Sequence, residues 1–330
     1  MQPRIQDFRF ADYVRAAGLA HCVQARAFSG GAKLGALYLD TAWLDTRNWF
    51  PITNDAATLY HFFGVFARAK IDYLYAPQTF AALAARAQEL SREPDYARAL
   101  ALGGGANYWH FVMDFAPRLV FTLEGGDPAT PLLVGPDFGP QQQGVLDHVF
   151  AARGLKTPRV IVLPEGIAPV RRALFPSVLP RAVAVELWDR FLPHTPRKAE
   201  RLIFARRGNV RQRKLLNEDE IIALAQRRGF EIIDPGAMSF AEQVETFRDA
   251  KVVMGAHGAA LTNVAFAPKG GALVEFIAGI EQPFFQQLAE AKQWRRIAIR
   301  DESVAASEAH HHDMRIDPKR VERTLDELGL

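Results

Sequence analysis

The chain has 330 residues, 49% of them apolar and 23% charged, with a net charge of +3 and a pI near 9.0. That length is too great for one ordinary core and suits two domains of globular composition. The small net charge, with no dominant Lys/Arg block, argues against nucleic acid as a partner. The single cysteine, Cys22, excludes a disulfide framework and a cysteine-built metal site, and no run of about 18 apolar residues is present to span a membrane. The opening Met1-Gln2-Pro3-Arg4-Ile5-Gln6-Asp7 lacks the apolar core of a signal peptide, so the expected location is cytoplasmic.

Residues 1 to about 75 mix short strand-like runs with aromatic loops, and Phe80 to Leu90 reads as an Ala-rich helix. Gly103-Gly104-Gly105, with no convincing strand before it, breaks the chain ahead of a helix from about Asn107 to Leu123. Leu132-Leu133-Val134 and Val160 to Leu163 read as strands, with a helix from Gln141 to Ala152 between them. Pro176 to Pro180, or Pro193 to Lys198, would serve as a linker, dividing the chain into residues 1–190 and 191–330.

The second half alternates more clearly. Arg201 to Ala205 is a strand, a basic loop follows, and a helix starts at Asn217, which can N-cap with Glu220 three residues on. Phe230 to Ile233 is a strand, and Ser239-Phe240-Ala241-Glu242 is a capping box opening a helix through about Asp249. Lys251 to Met254 is a strand, Gly258 to Phe266 a short helix, Ala272 to Ile277 a strand, and Phe284 to Lys292 a helix. The expected fold class is α/β, with parallel strands, helices on both sheet faces, and ligands beyond the strands' carboxyl ends. The last helix is expected to pack back on the N-terminal domain. His310-His311-His312, followed by Asp313, reads as a surface turn rather than a metal site.

Three stretches carry candidate chemistry. Gly255-Ala256-His257-Gly258-Ala259-Ala260-Leu261-Thr262-Asn263 turns sharply out of a buried strand, and the N–H groups of the following helix would face an anion such as a phosphate. Arg206-Arg207-Gly208-Asn209-Val210-Arg211-Gln212-Arg213-Lys214 brings five cations to a strand's carboxyl end, where guanidinium groups fork onto phosphate oxygens. Asn107, His110, Asp114 and Arg118 are spaced to share one helical stripe, where Asp can orient His for general-base work. Pro117 should loosen that helix, since it cannot donate to the Met113 carbonyl. Glu275, ending its strand, could accept from a ribose diol. Each has a plainer alternative: an incidental His in a tight turn, a solvated basic loop, and surface ion pairs along a helix.

Taken together and in this order, Asn107-Tyr108-Trp109-His110-Phe111 with Asp114, Pro117 and Arg118, then Arg206-Arg207 with Asn217-Glu218, then Ser239 to Gln243, then Gly255 to Asn263 with Phe266 and Glu275, resemble glycosyltransferase family 61 over roughly residues 100 to 300. The resemblance implies two Rossmann-like domains facing across a cleft, the GT-B arrangement. It also implies inverting, metal-independent transfer from a nucleotide-sugar, with no cofactor, in capsular or extracellular polysaccharide biosynthesis. On it, Arg206, Arg207, Arg211, Asn217, His257, Gly258, Ala259, Asn263 and Glu275 would hold the donor. His110 or Asp114 would be the base, supported by Asn107 and Arg118. The acceptor would be a saccharide or lipid-linked saccharide, with peripheral association at the inner face of the membrane. A non-catalytic nucleotide- or sugar-binding protein on the same scaffold is the second reading. A nicotinamide-dependent oxidoreductase is the third, and the chain lacks its G-x-G-x-x-G fingerprint.

Overall fold

The computed structural model describes residues 22–27, 33–46, 49–52, 99–104, 107–177, 179–193, 199–208, 210–307 and 312–330. The expected Phe80 to Leu90 helix, Asn209, most of the Pro193 to Lys198 linker, and His310 and His311 lie outside the described residues. The chain divides into two units, each with its own sheet. The first comprises the described residues up to Gly104, His110–Gln142 and Leu155–Val183; the second comprises Asn107–Trp109, Gln143–Gly154 and the described residues from Ala184 to Leu330.

In the first unit β1 (Cys22–Ala27), β2 (Lys33–Asp45), β3 (Phe50–Ile52), β4 (Leu100–Gly103), β5 (Leu132–Val134), β6 (Val160–Val162) and β7 (Ile167–Pro176) form one sheet. Its order is β1-β2-β7-β4-β5-β6, with β3 added on β2. Strands β4, β5 and β6 run parallel, Leu100 beside Leu132 beside Val160. β2 runs antiparallel to β1, β3 and β7. The triple glycine does follow a strand: β4 is wholly buried, and Gly103 sits at φ +143°, a conformation glycine alone takes easily. A Cβ on Gly103 would lie 2.1 Å from the Phe115 ring, so the glycine lets the next segment pack directly on the strand.

That segment is not the single helix the spacing predicts. It is an α turn at Tyr108–His110, a π turn at Phe111–Phe115, a 3₁₀ turn at Ala116–Leu119 and an α turn at Val120–Leu123. Pro117 sits in the first positions of the 3₁₀ turn, where its missing N–H costs least. The Met113 carbonyl that it cannot serve accepts from Arg181 Nη1 at 3.4 Å. Every residue from Phe111 to Thr122 is buried, so the segment is not a solvated face of ion pairs.

In the second unit β8 (Arg201–Ala205), β9 (Glu231–Ile233), β10 (Ala250–Ala256), β11 (Ala272–Ile277) and β12 (Arg295–Arg300) are all parallel, in the order β12-β11-β10-β8-β9. Numbered within the sheet this is 2-1-3-4-5, a doubly wound order whose direction of winding reverses between β8 and β10. The longer helices among the described residues are α1 (Pro140–Ala151), α2 (Arg181–Phe191), α3 (Glu218–Arg227), α4 (Phe240–Phe247), α5 (Phe284–Lys292) and α6 (Pro318–Glu327). The expected capping box opens α4: Ser239 Oγ accepts from the Glu242 N–H, and Glu242 accepts from the Ser239 N–H. Phe204, Met254, Val274 and Phe276 pack with Ile221, Leu224, Val321 and Leu325, so the buried strands are sealed by the apolar stripes of α3 and α6. Residues 259–266 are 3₁₀ rather than α-helical. No helix among the described residues is long and apolar enough to cross a membrane.

Candidate functional site

In doubly wound sheets a ligand sits outside the carboxyl ends of the strands where the winding reverses. Here those ends belong to β8, which runs into Arg206 and Arg207, and β10, which runs into His257 and Gly258. The two strand ends approach closely. A Cβ on Gly255 would lie 2.6 Å from the Ala205 carbonyl oxygen, so this position excludes every larger residue.

The arginines converge on the turn. The Arg207 guanidinium lies over Gly258, where an added Cβ would fall 1.6 Å from Nη1. Its Nε donates to the Arg213 carbonyl at 3.1 Å and its Nη2 to the Gln212 carbonyl at 3.2 Å. Glu218 accepts from the Arg207 N–H at 2.9 Å and pairs with Arg206 Nη2 at 3.5 Å. Burial, reinforced by the charge of Arg213, lowers Arg207 to about 10 despite Glu218. Burial also lowers Arg213, whose backbone is held left-handed at φ +57°. The Nε atoms of Arg206 and Arg213 find no hydrogen-bond partner among the described residues. Arg211 is exposed on the same loop. Crowded, partly desolvated cations with unused donors are stabilised by a bound anion.

Next to them, His257 is buried with its Nδ1 2.5 Å from Glu275 Oε1, while its backbone N–H donates to the Phe276 carbonyl at 2.8 Å. The edge of Phe285 packs on the imidazole at 5.1 Å, and Trp109 packs on Phe285 at 5.0 Å. Glu275 is completely buried, and its other oxygen accepts from Arg296 Nε at 2.5 Å. Instead of facing outward as an expected ribose acceptor would, it is held inside the protein between His257 and Arg296.

Two other expected donor ligands are also engaged inside the protein. Asn263 is completely buried: Oδ1 accepts from the Tyr108 hydroxyl at 2.8 Å, and Nδ2 donates to Gln243 at 2.8 Å and to the Ala260 carbonyl at 3.1 Å. Burial raises the Tyr108 phenol far above its ordinary value, so it stays a donor. Asn217 makes no side-chain cap. Its Nδ2 donates to the Ile316 carbonyl at 2.9 Å and to Glu220, and its Oδ1 accepts from the Ile316 N–H at 3.1 Å. It ties the start of α3 to the approach to α6 because those two backbone groups would otherwise be buried unpaired.

The first unit holds the other constellation. His110 Nδ1 lies 2.7 Å from Asp114 Oδ2, and the other oxygen of Asp114 pairs with Arg181, at the start of α2. Asp114 is 1% exposed, whereas the His110 side chain is 20% exposed. Arg118 does not share that pair. It is fully buried, donates from Nη1 to the Leu102 carbonyl at 3.2 Å and lies over Phe115, with burial lowering it to about 10 against the pull of Asp114. Asn107 is exposed and groups with the second unit. Sequence reasoning missed Arg181 and Arg296, and no local signal marks either one.

The sequence profile described as Glycosyltransferase 61 matches residues 108–274, just over half of the chain. The chain belongs to glycosyltransferase family 61. The family match begins at Tyr108, before the His110–Asp114 pair, and ends one residue before Glu275, so it spans both histidines and the basic loop. An 88-residue stretch is 39% identical to alpha-1,3-arabinosyltransferase XAT3 of Oryza sativa subsp. japonica, covering 25% of this chain and 14% of the rice protein's length.

Proposed function

We propose that the chain is an inverting, metal-independent glycosyltransferase that moves a sugar from a nucleotide-sugar to a saccharide or glycolipid acceptor in bacterial surface polysaccharide biosynthesis. In this reading the two units are the halves of a GT-B pair, acting in the cytoplasm at the inner face of the membrane. The observation that carries it is the set of arginines with unused donors at the winding reversal of the second unit. Arg206, Arg207 and Arg211, with the backbone of Gly258 and Ala259, hold the diphosphate. The cations stabilise the charge that builds on the leaving group as the anomeric C–O bond breaks, the work a metal does elsewhere.

His110 is the base. Asp114 is buried with each oxygen on a partner, so it orients the imidazole and has no oxygen free for an acceptor. The His110 ring takes the acceptor hydroxyl's proton, the freed oxygen attacks the anomeric carbon from the face opposite the diphosphate, and the electron pair of the broken bond leaves with the nucleoside diphosphate. The rice relative's name makes pentosyl donors the first to try, with hexosyl donors beside them. Calorimetry with nucleoside diphosphates in excess chelator tests the donor site. Binding in the micromolar range supports the reading, and binding that requires manganese or magnesium overturns its metal-free part.

A further inference from the structure

Three adjacent strands of the second sheet place one residue each in a diagonal line. Glu275 on β11 lies beside Gly255 on β10 and Ala298 on β12. His257 is two residues beyond Gly255, and Arg296 two residues before Ala298, so all three side chains stand on the same sheet face. The result is a closed relay from His257 Nδ1 to Glu275 and from Glu275 to Arg296 Nε, both at 2.5 Å. Arg296 is anchored in turn by Glu281 at 2.6 Å and Gln286 at 3.4 Å. Burial opposes the Arg296 charge, but Glu275 and Glu281 outweigh it and raise the guanidinium above its ordinary value.

The relay leaves one ring atom of His257 for a ligand. Nε2 has no hydrogen-bond partner among the described residues. Glu275 pairs with Nδ1, Arg296 pairs with Glu275, Arg207 lies over the neighbouring Gly258, and α5 packs the uncharged Phe285 on the ring. Arg296 holds the Glu275 carboxylate in place, and a carboxylate on Nδ1 accepts from Nδ1–H, which leaves Nε2 as the ring's lone-pair nitrogen. A ring with Nδ1–H on a carboxylate and a bare Nε2 accepts a hydrogen bond; it cannot donate one to a phosphate.

We propose that Arg296 is a positioning residue: through Glu275 it holds His257 as the Nδ1–H tautomer, so that Nε2 accepts a hydrogen bond from a hydroxyl of the donor sugar rather than contacting the diphosphate. The inference rests on the donor site of the second unit. It separates that site into a phosphate part carried by arginines and a sugar part carried by His257. Removing Arg296 takes away the anchor of the Glu275 carboxylate, so Nδ1–H loses its fixed acceptor and the ring no longer presents Nε2 to the sugar in one orientation.

The test uses the full-length chain with uridine and guanosine diphosphates, and with sugar esters of whichever binds more tightly. In Arg296→Met the sugar ester loses affinity about 10-fold or more, while the nucleoside diphosphate stays within about 2-fold of wild type. Side-chain ¹⁵N shifts of His257, assigned through His257→Asn, show Nδ1–H with Nε2 bare in wild type and a mixture of tautomers in Arg296→Met. Arg296→Lys recovers part of both effects. Equal losses for diphosphate and sugar ester, or a His257 tautomer indifferent to Arg296, overturn the proposal. If Arg296→Met does not fold, Glu275→Gln, of the same size and without charge, must show the same selective loss of the sugar contribution. If no nucleotide binds wild type, the donor site itself fails, and the tautomer measurement still judges the relay.

Discussion

Replacing Gly258 with Ala tests the donor site with a single methyl group. Gly258 has φ 167°, extended backbone that any residue adopts, so the substitution introduces no backbone strain. Its Cβ would fall 1.6 Å from Arg207 Nη1 and 2.7 Å from Cζ. An ordinary contact is about 3.5 Å, so the guanidinium must retreat by about 2 Å. That movement breaks its bonds to the Arg213 and Gln212 carbonyls. The guanidinium recovers solvent as it leaves, which limits the stability loss to roughly 1 kcal/mol. A charge-assisted contact to phosphate is worth about 1.5–3 kcal/mol, so nucleoside diphosphate affinity should fall about 10- to 150-fold. Gly255→Ala is the control. There the added Cβ meets the Ala205 backbone oxygen at 2.6 Å, and moving two strand ends costs about 1–3 kcal/mol of fold stability. Calorimetry and thermal unfolding on both variants separate the effects. Wild-type nucleotide affinity in Gly258→Ala, with the fold intact, would refute the placement of Arg207 against the diphosphate.

His110→Ala and Asp114→Asn should each lower the transfer rate about 100- to 10,000-fold with nucleotide affinity nearly intact, and the double variant should lose much less than the product, because the pair acts as a unit; normal transfer at saturation would remove His110 as base. Arg206→Ala should weaken nucleoside diphosphate binding about 10- to 150-fold, with Arg206→Lys recovering only part, read by calorimetry. Tyr108→Phe leaves the buried Asn263 oxygen without its donor and should cost about 1–3 kcal/mol in thermal unfolding, whereas Asn263→Ala should not weaken nucleotide binding in the folded protein beyond that stability loss. Burial opposes ionisation of Asp301, but the Arg315 N–H and the Ser303 hydroxyl and N–H outweigh it and hold its carboxyl below the usual range. Its contribution is therefore complete above about pH 4 and lost as pH falls through the lowered folded value, so Asp301→Asn should flatten the acid limb of the stability curve below pH 4.

Four strands of the second sheet were legible as short apolar runs, and the α4 start carries a local capping box, but β12 was not, because three arginines interrupt its apolar residues. The switch-point residues were legible too: Arg206 and His257 directly follow their strands. What the sequence hid are contacts between distant positions. Arg181 reaches Asp114 across 67 residues, and Tyr108 reaches Asn263 across 155, with no periodic trace of either. The spacing of Asn107, His110, Asp114 and Arg118 suggested one polar stripe, but an interior proline splits the segment into π and 3₁₀ turns and sends Arg118 to Leu102. Glu275 at a strand end looked like a ligand. Register places Arg296 diagonally beside it, and only pairing of β11 with β12 reveals that.

The proposed function has arginines at the winding reversal of the second unit hold a nucleotide-sugar for metal-free transfer. It is tested most directly by incubating the protein with a panel of nucleotide-sugars, pentosyl donors first, in excess chelator, and following release of the nucleoside diphosphate and the anomeric configuration of the product by NMR. The account predicts turnover of at least one donor with inversion, lost in His110→Ala and restored at higher donor concentration in Gly258→Ala. Turnover only with added divalent metal, or a product of retained configuration, would contradict it.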